Sequence, residues 1–243
     1  MPKTYRPKIA VFASGHGTTF RAVAEAVHDG LVDFDIALLV CDHDNVGVLD
    51  HAQEVNQLYG MDIKVEIINK KRYPGGQRQR GQTVEEAKAT LAVLKANDID
   101  HVALIGYWRI VGQEVTDEYG WKPEYAKADP KHRGMYLARM SNTHPGILPA
   151  TQDTYGVPAQ AKALELGLKE TAHTLLVVSN SGIDDGPVIA ENRVPVFAPS
   201  KYPSKMADTP EKLFARVQRI EKAHLPLDLD AFLKDQAVWK KKL

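Results

Sequence analysis

The chain has 243 residues, 44% of them apolar and 26% charged, proportions ordinary for a soluble globular protein and enough for a substantial core in one large domain or two small ones. Lys plus Arg total 31 and Asp plus Glu total 31, a formal net charge of zero, which argues against a general nucleic-acid binder because such proteins carry a basic excess. The single cysteine, Cys41, leaves no partner for an intramolecular disulfide and no cysteine-based zinc site. Its place at the end of an apolar run makes it a buried core thiol. The opening MPKTYRPKIAVFA lacks the apolar run of a signal peptide. No stretch approaches the roughly 18 apolar residues that cross a bilayer, so a soluble, cytoplasmic protein without membrane contact is expected.

Residues 8–13 (KIAVFA) form a short apolar run between Pro7 and the glycines at 15 and 17, the pattern of a buried strand. From Thr19, apolar side chains at 20, 23, 24 and 27 recur at helical spacing, and Gly30 stops the helix. Residues 34–41 are strand-like again. Asn45 is placed to cap a helix reaching about Tyr59 and closed by Gly60. Residues 62–68 alternate charged and apolar groups, the mark of a third strand. The basic, glycine-containing stretch 69–82 has no periodicity and reads as a loop. Thr83 caps the next helix, to about Ala96, with Glu85 and Glu86 in the first turn where negative charge suits the helix dipole. Residues 101–105 make a fourth strand ending at Gly106.

This alternation predicts an α/β fold with a parallel sheet covered by helices on both faces. Ligands of such sheets bind outside the carboxyl ends of the strands, where segments 14–19, 42–45 and 106–111 fall. The second half is less regular. Residues 119–134 are polar, with prolines and scattered aromatics, and look like an excursion from the core. A short strand at 139–143 leads into His144-Pro145. A helix at 158–166 ends at Gly167, and a strand follows at 171–179. Residues 188–196 suggest a strand with a polar interruption. Residues 210–224 are helical, and 229–233 continue the pattern beyond a break at Pro226. No repeat or clear linker appears, and one continuous domain is the better reading.

Three constellations carry chemistry. In Ser14-Gly15-His16-Gly17-Thr18-Thr19, two glycines permit backbone conformations closed to other residues, and free amides at a helix start attract anions; a plain strand-to-helix turn is the alternative. In Asn142-Thr143-His144-Pro145-Gly146-Ile147-Leu148-Pro149, the amide and the imidazole stand two apart and share one side of an extended chain. Both can then address a carbonyl oxygen and stabilise a tetrahedral intermediate. In Asp184-Asp185-Gly186-Pro187, the carboxylates either shape a turn or bring Asp184 to His144, where it favours imidazolium and can take a proton.

Together these pieces resemble the formyltransferase family, most closely the phosphoribosylglycinamide formyltransferases of purine synthesis. The resemblance rests on SGHGTT at 14–19, GYWRIV at 106–111, NTHPGILP at 142–149, IDDGPVIAENRVPV at 183–196 and VQRIEKAHLPL at 217–227. It implies a Rossmann-like, mostly parallel sheet in a single domain over 1–243. A phosphate-binding half spans 8–111 and a catalytic half 135–233, with insertions at about 69–82 and 119–134. It also implies roles. Asn142, His144 and Asp184 match the catalytic trio; Gly17, Thr18 and Thr19 match the backbone that holds a substrate phosphate; Arg80, or Arg78, would be the arginine that pairs with it; and Glu221 matches a glutamate that contacts the acceptor. Trp108, Arg109, Ile110 and Val111, with Asn180 and Ile183, match the walls of a folate pocket. The implied partners are a phosphorylated amine and 10-formyltetrahydrofolate, used as co-substrate, with no metal and no nucleic acid, in a monomer or homodimer.

The sequence also departs from the family pattern. Thr19 replaces a loop asparagine. The 69–82 loop is longer than usual and carries Lys70, Lys71, Arg72, Arg78 and Arg80; the alternative role is a solvated basic surface. The 119–134 insertion is placed to form a lid or to decorate the surface. His173 and Val177 stand where the family carries glycine and histidine. Three rival readings are a nicotinamide-dependent oxidoreductase (Gly15, Gly17 and Asp42 imitate a dinucleotide site), hydrolysis of 10-formyltetrahydrofolate, and a non-catalytic folate-binding or regulatory homologue. Nine histidines show no metal-ligand spacing, and His101 and His224 read as surface or capping groups.

Overall fold

A computed structural model describes residues 6–75, 81–199, 201–203 and 206–240, the last three of these by backbone alone. Strand β1 (Lys8–Ala13) is followed by α1 (Thr18–His28), β2 (Asp35–Cys41), α2 (Gly47–Tyr59), β3 (Lys64–Ile67), α3 (Val84–Ala96), β4 (His101–Leu104), α4 (Gln113–Tyr119) and α5 (Tyr125–Ala128). A 3₁₀ turn at Met135–Leu137 leads to β5 (Met140–His144), α6 (Val157–Glu165), β6 (Glu170–Val177), β7 (Val188–Pro195) and α7 (Pro210–Lys240). One seven-stranded sheet has the order β3-β2-β1-β4-β5-β6-β7. Strands β1 to β5 run parallel, whereas β6 pairs antiparallel with both β5 and β7. The α/β, mostly parallel architecture expected from the sequence is therefore the one observed.

Alternation along the strands divides the core into two layers. Ile9, Val11 and Ala13 face one side with Phe20, Val23 and, from α7, Leu225, Leu229, Phe232 and Leu233. Ala10 and Phe12 face the other with Ala87 and Leu94 of α3 and Val115 of α4. Cys41 is fully buried, as expected. Among the described residues, no helix is long and apolar enough to cross a membrane.

Several expectations are corrected. The residue capping α2 is Val46, without a side-chain cap; Asn45 lies outside the helix, which starts where Gly47 can approach the carbonyl of His16. Pro226 does not divide the last helix: α7 runs unbroken through it, because burying Leu225 and Leu229 on either side outweighs one missing backbone bond. β7 is likewise one continuous strand of eight residues. The 69–82 loop ends inside the protein, with Gln82 fully buried and bonded to Thr90, 2.9 Å, and to the amide of Gly112, 3.0 Å. His101 is not a surface or capping group: it is fully buried, 2.9 Å from Ser141 Oγ and edge-on to Phe232. The 119–134 excursion is anchored to the body of the protein at Trp121. Trp121 is buried, its amide donates to Val178 O at 2.7 Å, and Tyr125 and Ala126 pack on the core beneath α7.

Candidate active site

The turn after β1 and the segment after β4 are joined by Ser14. Its amide donates to Gly106 O at 3.0 Å, and its hydroxyl accepts the Trp108 N–H at 3.0 Å. Gly17 precedes α1 with φ +77°, and a Cβ there would lie 2.5 Å from Val48 Cα. The position therefore needs glycine both for its backbone angle and for the close approach of α2. Gly17 caps α1 with no side-chain hydrogen bond, and no acidic residue sits in the first turn. The helix thus presents first-turn amides at Thr18, exposed, and Thr19, half-buried, with no charge to repel an anion.

β5 delivers Asn142 and His144 toward the carboxyl end of the sheet. β6 runs the other way, so the loop that follows it leaves near the start of β5 and must double back over that strand. Gly186 permits the tight return, since a Cβ there would lie 2.0 Å from Val177 O. The Gln152 side chain donates to Ile183 O at 2.8 Å and pins the loop tip. Asp184 adopts φ +52°, a left-handed conformation that aspartate tolerates better than most residues.

The result is a convergent trio. Asn142 Nδ2 donates to Asp184 Oδ1 at 2.9 Å, and His144 Nδ1 lies 3.2 Å from Asp184 Oδ2. The side chains of His144 and Asp184 are only 2% and 9% exposed, so the attraction is little screened by water. Asp185 points elsewhere, against Gly182. The structure thus brings the three together from segments 40 positions apart, Asn142–His144 and Asp184.

On the face of β5 that looks toward α7, buried Glu221 shares a hydrogen bond with Thr143. Burial pushes its pKa up to about 7, with the Thr143 bond and Lys222 acting against the rise. His173, on β6, is also fully buried, and burial, then His224 and His144, lower its pKa to about 4. Neither ring nitrogen of His173 has a hydrogen-bond partner among the described residues. Val177 is buried in the apolar layer.

The expected pocket walls divide. Trp108 lies exposed against Gly15, and Ile110 and Ile183 are also exposed apolar side chains. Asn180 is half-buried and donates to Asp117 at 3.4 Å. Two of the expected wall residues face the interior instead. Val111 packs in the core layer of α3 and α4. The Arg109 guanidinium forks onto Glu86 at 2.6 and 2.8 Å and reaches Gly81 O at 2.7 Å. A buried carboxylate on α3 outcompetes an open pocket for this cation. Arg80 and Arg78 lie outside the described residues. Of the loop's other basic groups, Lys71 and Arg72 pair with Asp44, at 3.9 and 3.1 Å. No cluster of side chains suited to a metal occurs among the described residues.

Sequence reasoning missed Thr151, fully buried and 2.9 Å from His144 Nε2. Pro145 and Pro149 bracket a turn in which the Thr151 amide donates to Ile147 O at 3.0 Å. Two prolines that turn the chain back on a histidine were the available signal.

Residues 7–122 match the formyl transferase family. The chain is 27% identical to phosphoribosylglycinamide formyltransferase of Arabidopsis thaliana, over 97% of this chain and 68% of that protein. It is 26% identical to phosphoribosylglycinamide formyltransferase of Bacillus subtilis, over 90% of this chain and 91% of that protein. The crystal structure of glycinamide ribonucleotide transformylase 1 from Geobacillus kaustophilus superimposes with a TM-score of 0.71 at 28% identity, covering 94% of this chain and all of that one.

Proposed function

The chain belongs to the formyltransferase family, and from that premise we propose that it transfers a formyl group from 10-formyltetrahydrofolate to the primary amine of a phosphorylated acceptor, glycinamide ribonucleotide first among them. The observation that carries this reading is the single carboxylate of Asp184 meeting both Asn142 and His144. An amide, an imidazole and a carboxylate so grouped suit acyl transfer to an amine without a metal. The turn at 14–19 supplies the anion site that a phosphorylated acceptor needs. Trp108, Ile110 and Ile183 supply exposed apolar surface for the flat ring system of a folate. Glu221, on the α7 face of β5, is the acceptor-facing carboxyl in this reading.

The chain's own residues divide the work as follows. Asn142 has a second amide N–H beyond the one given to Asp184, and His144 contributes its Nε2–H. Both meet the negative charge that appears on the formyl oxygen as the acceptor nitrogen bonds to the formyl carbon. Asp184 takes the proton that the nitrogen releases. The electrons on oxygen then re-form the carbonyl, the bond from carbon to N10 of the folate breaks, and N10 takes the proton that Asp184 received, which restores the carboxylate. A formamide and tetrahydrofolate are the products.

The test is a spectrophotometric assay of tetrahydrofolate formation with glycinamide ribonucleotide and a panel of other primary amines, phosphorylated and not. Turnover that requires a phosphorylated amine is the expected result. Formate release at the same rate with no amine present would replace transfer by hydrolysis. Reduced nicotinamide binding without folate turnover would replace the family chemistry altogether.

A further inference from the structure

We propose that Thr151 is the positioning residue that holds His144 with a proton on Nε2, so that the ring stands ready as a donor; the inference rests on the reading of His144 given above. Its basis is a hydrogen-bond accounting. Thr151 Oγ lies 2.9 Å from Ile147 O and 2.9 Å from His144 Nε2. The hydroxyl stands in donor geometry to Ile147 O, which also receives the Thr151 N–H; with its one proton given there, the hydroxyl turns its lone pairs to the ring. Nε2 must then bring a proton of its own. At the other end of the ring, Nδ1 lies 3.2 Å from Asp184 Oδ2, and a carboxylate also only accepts. In that arrangement each ring nitrogen faces an acceptor; the competing arrangement is a neutral ring with its proton on Nδ1 and the Thr151 hydroxyl donating to Nε2, and the spectra below tell the two apart.

The neighbouring backbone is built around this contact. A Cβ on Gly146 would lie 2.1 Å from Thr151 Oγ and 2.9 Å from His144 Nε2, so no side chain can occupy position 146 while the two remain bonded. Thr174 Oγ donates to Gly146 O at 2.7 Å, and Gln160 Nε2 donates to Pro145 O. Both fix the turn that carries Thr151 back to the ring. Among the described residues Asp184 is the carboxylate paired with the ring; His173, next to the cross-strand partner Thr174, turns to the other face of the sheet, and burial lowers its pKa to about 4 and keeps it neutral. The Nε2–H is parked on Thr151 in the resting chain.

The test combines a spectroscopic reading with a rescue. In ¹⁵N–¹H correlation spectra of histidine-labelled wild-type protein at neutral pH, His144 should show protons on both ring nitrogens. Thr151→Val keeps the shape and removes the acceptor. It should lose the Nε2–H signal and lower kcat by about 100-fold, the scale of one oxyanion donor, with KM for both substrates little changed. Thr151→Ser should restore signal and rate. A wild-type ring with a bare Nε2, or a Thr151→Val protein that keeps the signal while losing rate, would overturn the proposal. Wild-type protein that shows both signals but transfers no formyl group would overturn the functional reading and leave this one standing.

Discussion

Replacing Arg109 with methionine should unfold the protein more easily and leave its substrate affinities nearly alone. The Glu86 carboxylate is fully buried and receives Arg109 Nη1 at 2.6 Å, Arg109 Nη2 at 2.8 Å and the Thr83 amide at 2.6 Å. Burial alone would raise the pKa of Glu86; the bonds from Arg109 and Thr83 outweigh it and hold the group below the usual carboxylate range. Methionine removes two of the three donors and strands a buried charge. Breaking such a pair costs about 3–5 kcal/mol, and at about 2–4 °C per kcal/mol for a chain of this size Tm should fall by roughly 6–20 °C. A cycle with Glu86→Gln should show the two losses to be non-additive by about 0.5–3 kcal/mol. Because the folded-state pKa of Glu86 is depressed, the pair stabilises above the ordinary carboxylate range. That stability is lost as pH falls through the folded value, so the wild-type and Arg109→Met denaturation curves should converge in acid. Unchanged Tm with lost folate affinity would refute the reasoning and return Arg109 to the pocket wall.

Asn142→Ala and His144→Ala should each lower the rate of formyl transfer by about 100- to 1,000-fold with an unchanged far-ultraviolet circular dichroism spectrum; normal turnover by either variant sinks the mechanism. Gly17→Ala forces a left-handed backbone on alanine, at about 1–2 kcal/mol, and drives a methyl group into Val48. It should lower stability in urea and raise KM for the phosphorylated acceptor while leaving KM for the folate near normal, and equal effects on both substrates would count against a phosphate site at 14–19. Glu221 has a folded-state pKa of about 7 against an ordinary value of 4.5. The folded state therefore keeps this proton where the unfolded chain has lost it, and stability should decline from pH 4.5 to 7 and then level. Glu221→Gln should flatten that decline in denaturation curves taken across the range, and parallel curves for the two proteins would show that burial has not perturbed the carboxyl.

What could be read from the sequence was local. The strand and helix order of the first half followed from short-range periodicity, and the Thr83 cap is present in the structure, where Glu86 completes a capping box. The trio was legible because spacing of two along a strand fixes a shared side for Asn142 and His144, and because Gly-Pro after Asp184 marks a tight return. Tertiary competition was not legible. Nothing near Arg109 in sequence reveals that Glu86, on another element, captures its guanidinium. Helix propensity alone places a break at Pro226, whereas the apolar residues on either side hold the helix through it. His101 looks like a surface group in sequence and is buried because its strand carries it into the sheet, bonded to Ser141 and edge-on to Phe232. Thr151 reaches the ring through a turn set by prolines, and no periodic pattern encodes that.

The long helix α7 has a consequence for synthesis. Leu229, Phe232 and Leu233 complete the same apolar layer as Ile9, Val11 and Ala13 of β1, yet more than 200 residues separate them along the chain. As the polypeptide leaves the ribosome, the early strands must wait with one face uncovered, a state prone to aggregation. Only when α7 has emerged can that face of β1 be sealed, so a nascent chain stalled before residue 225 is the form that a chaperone would be needed to shield.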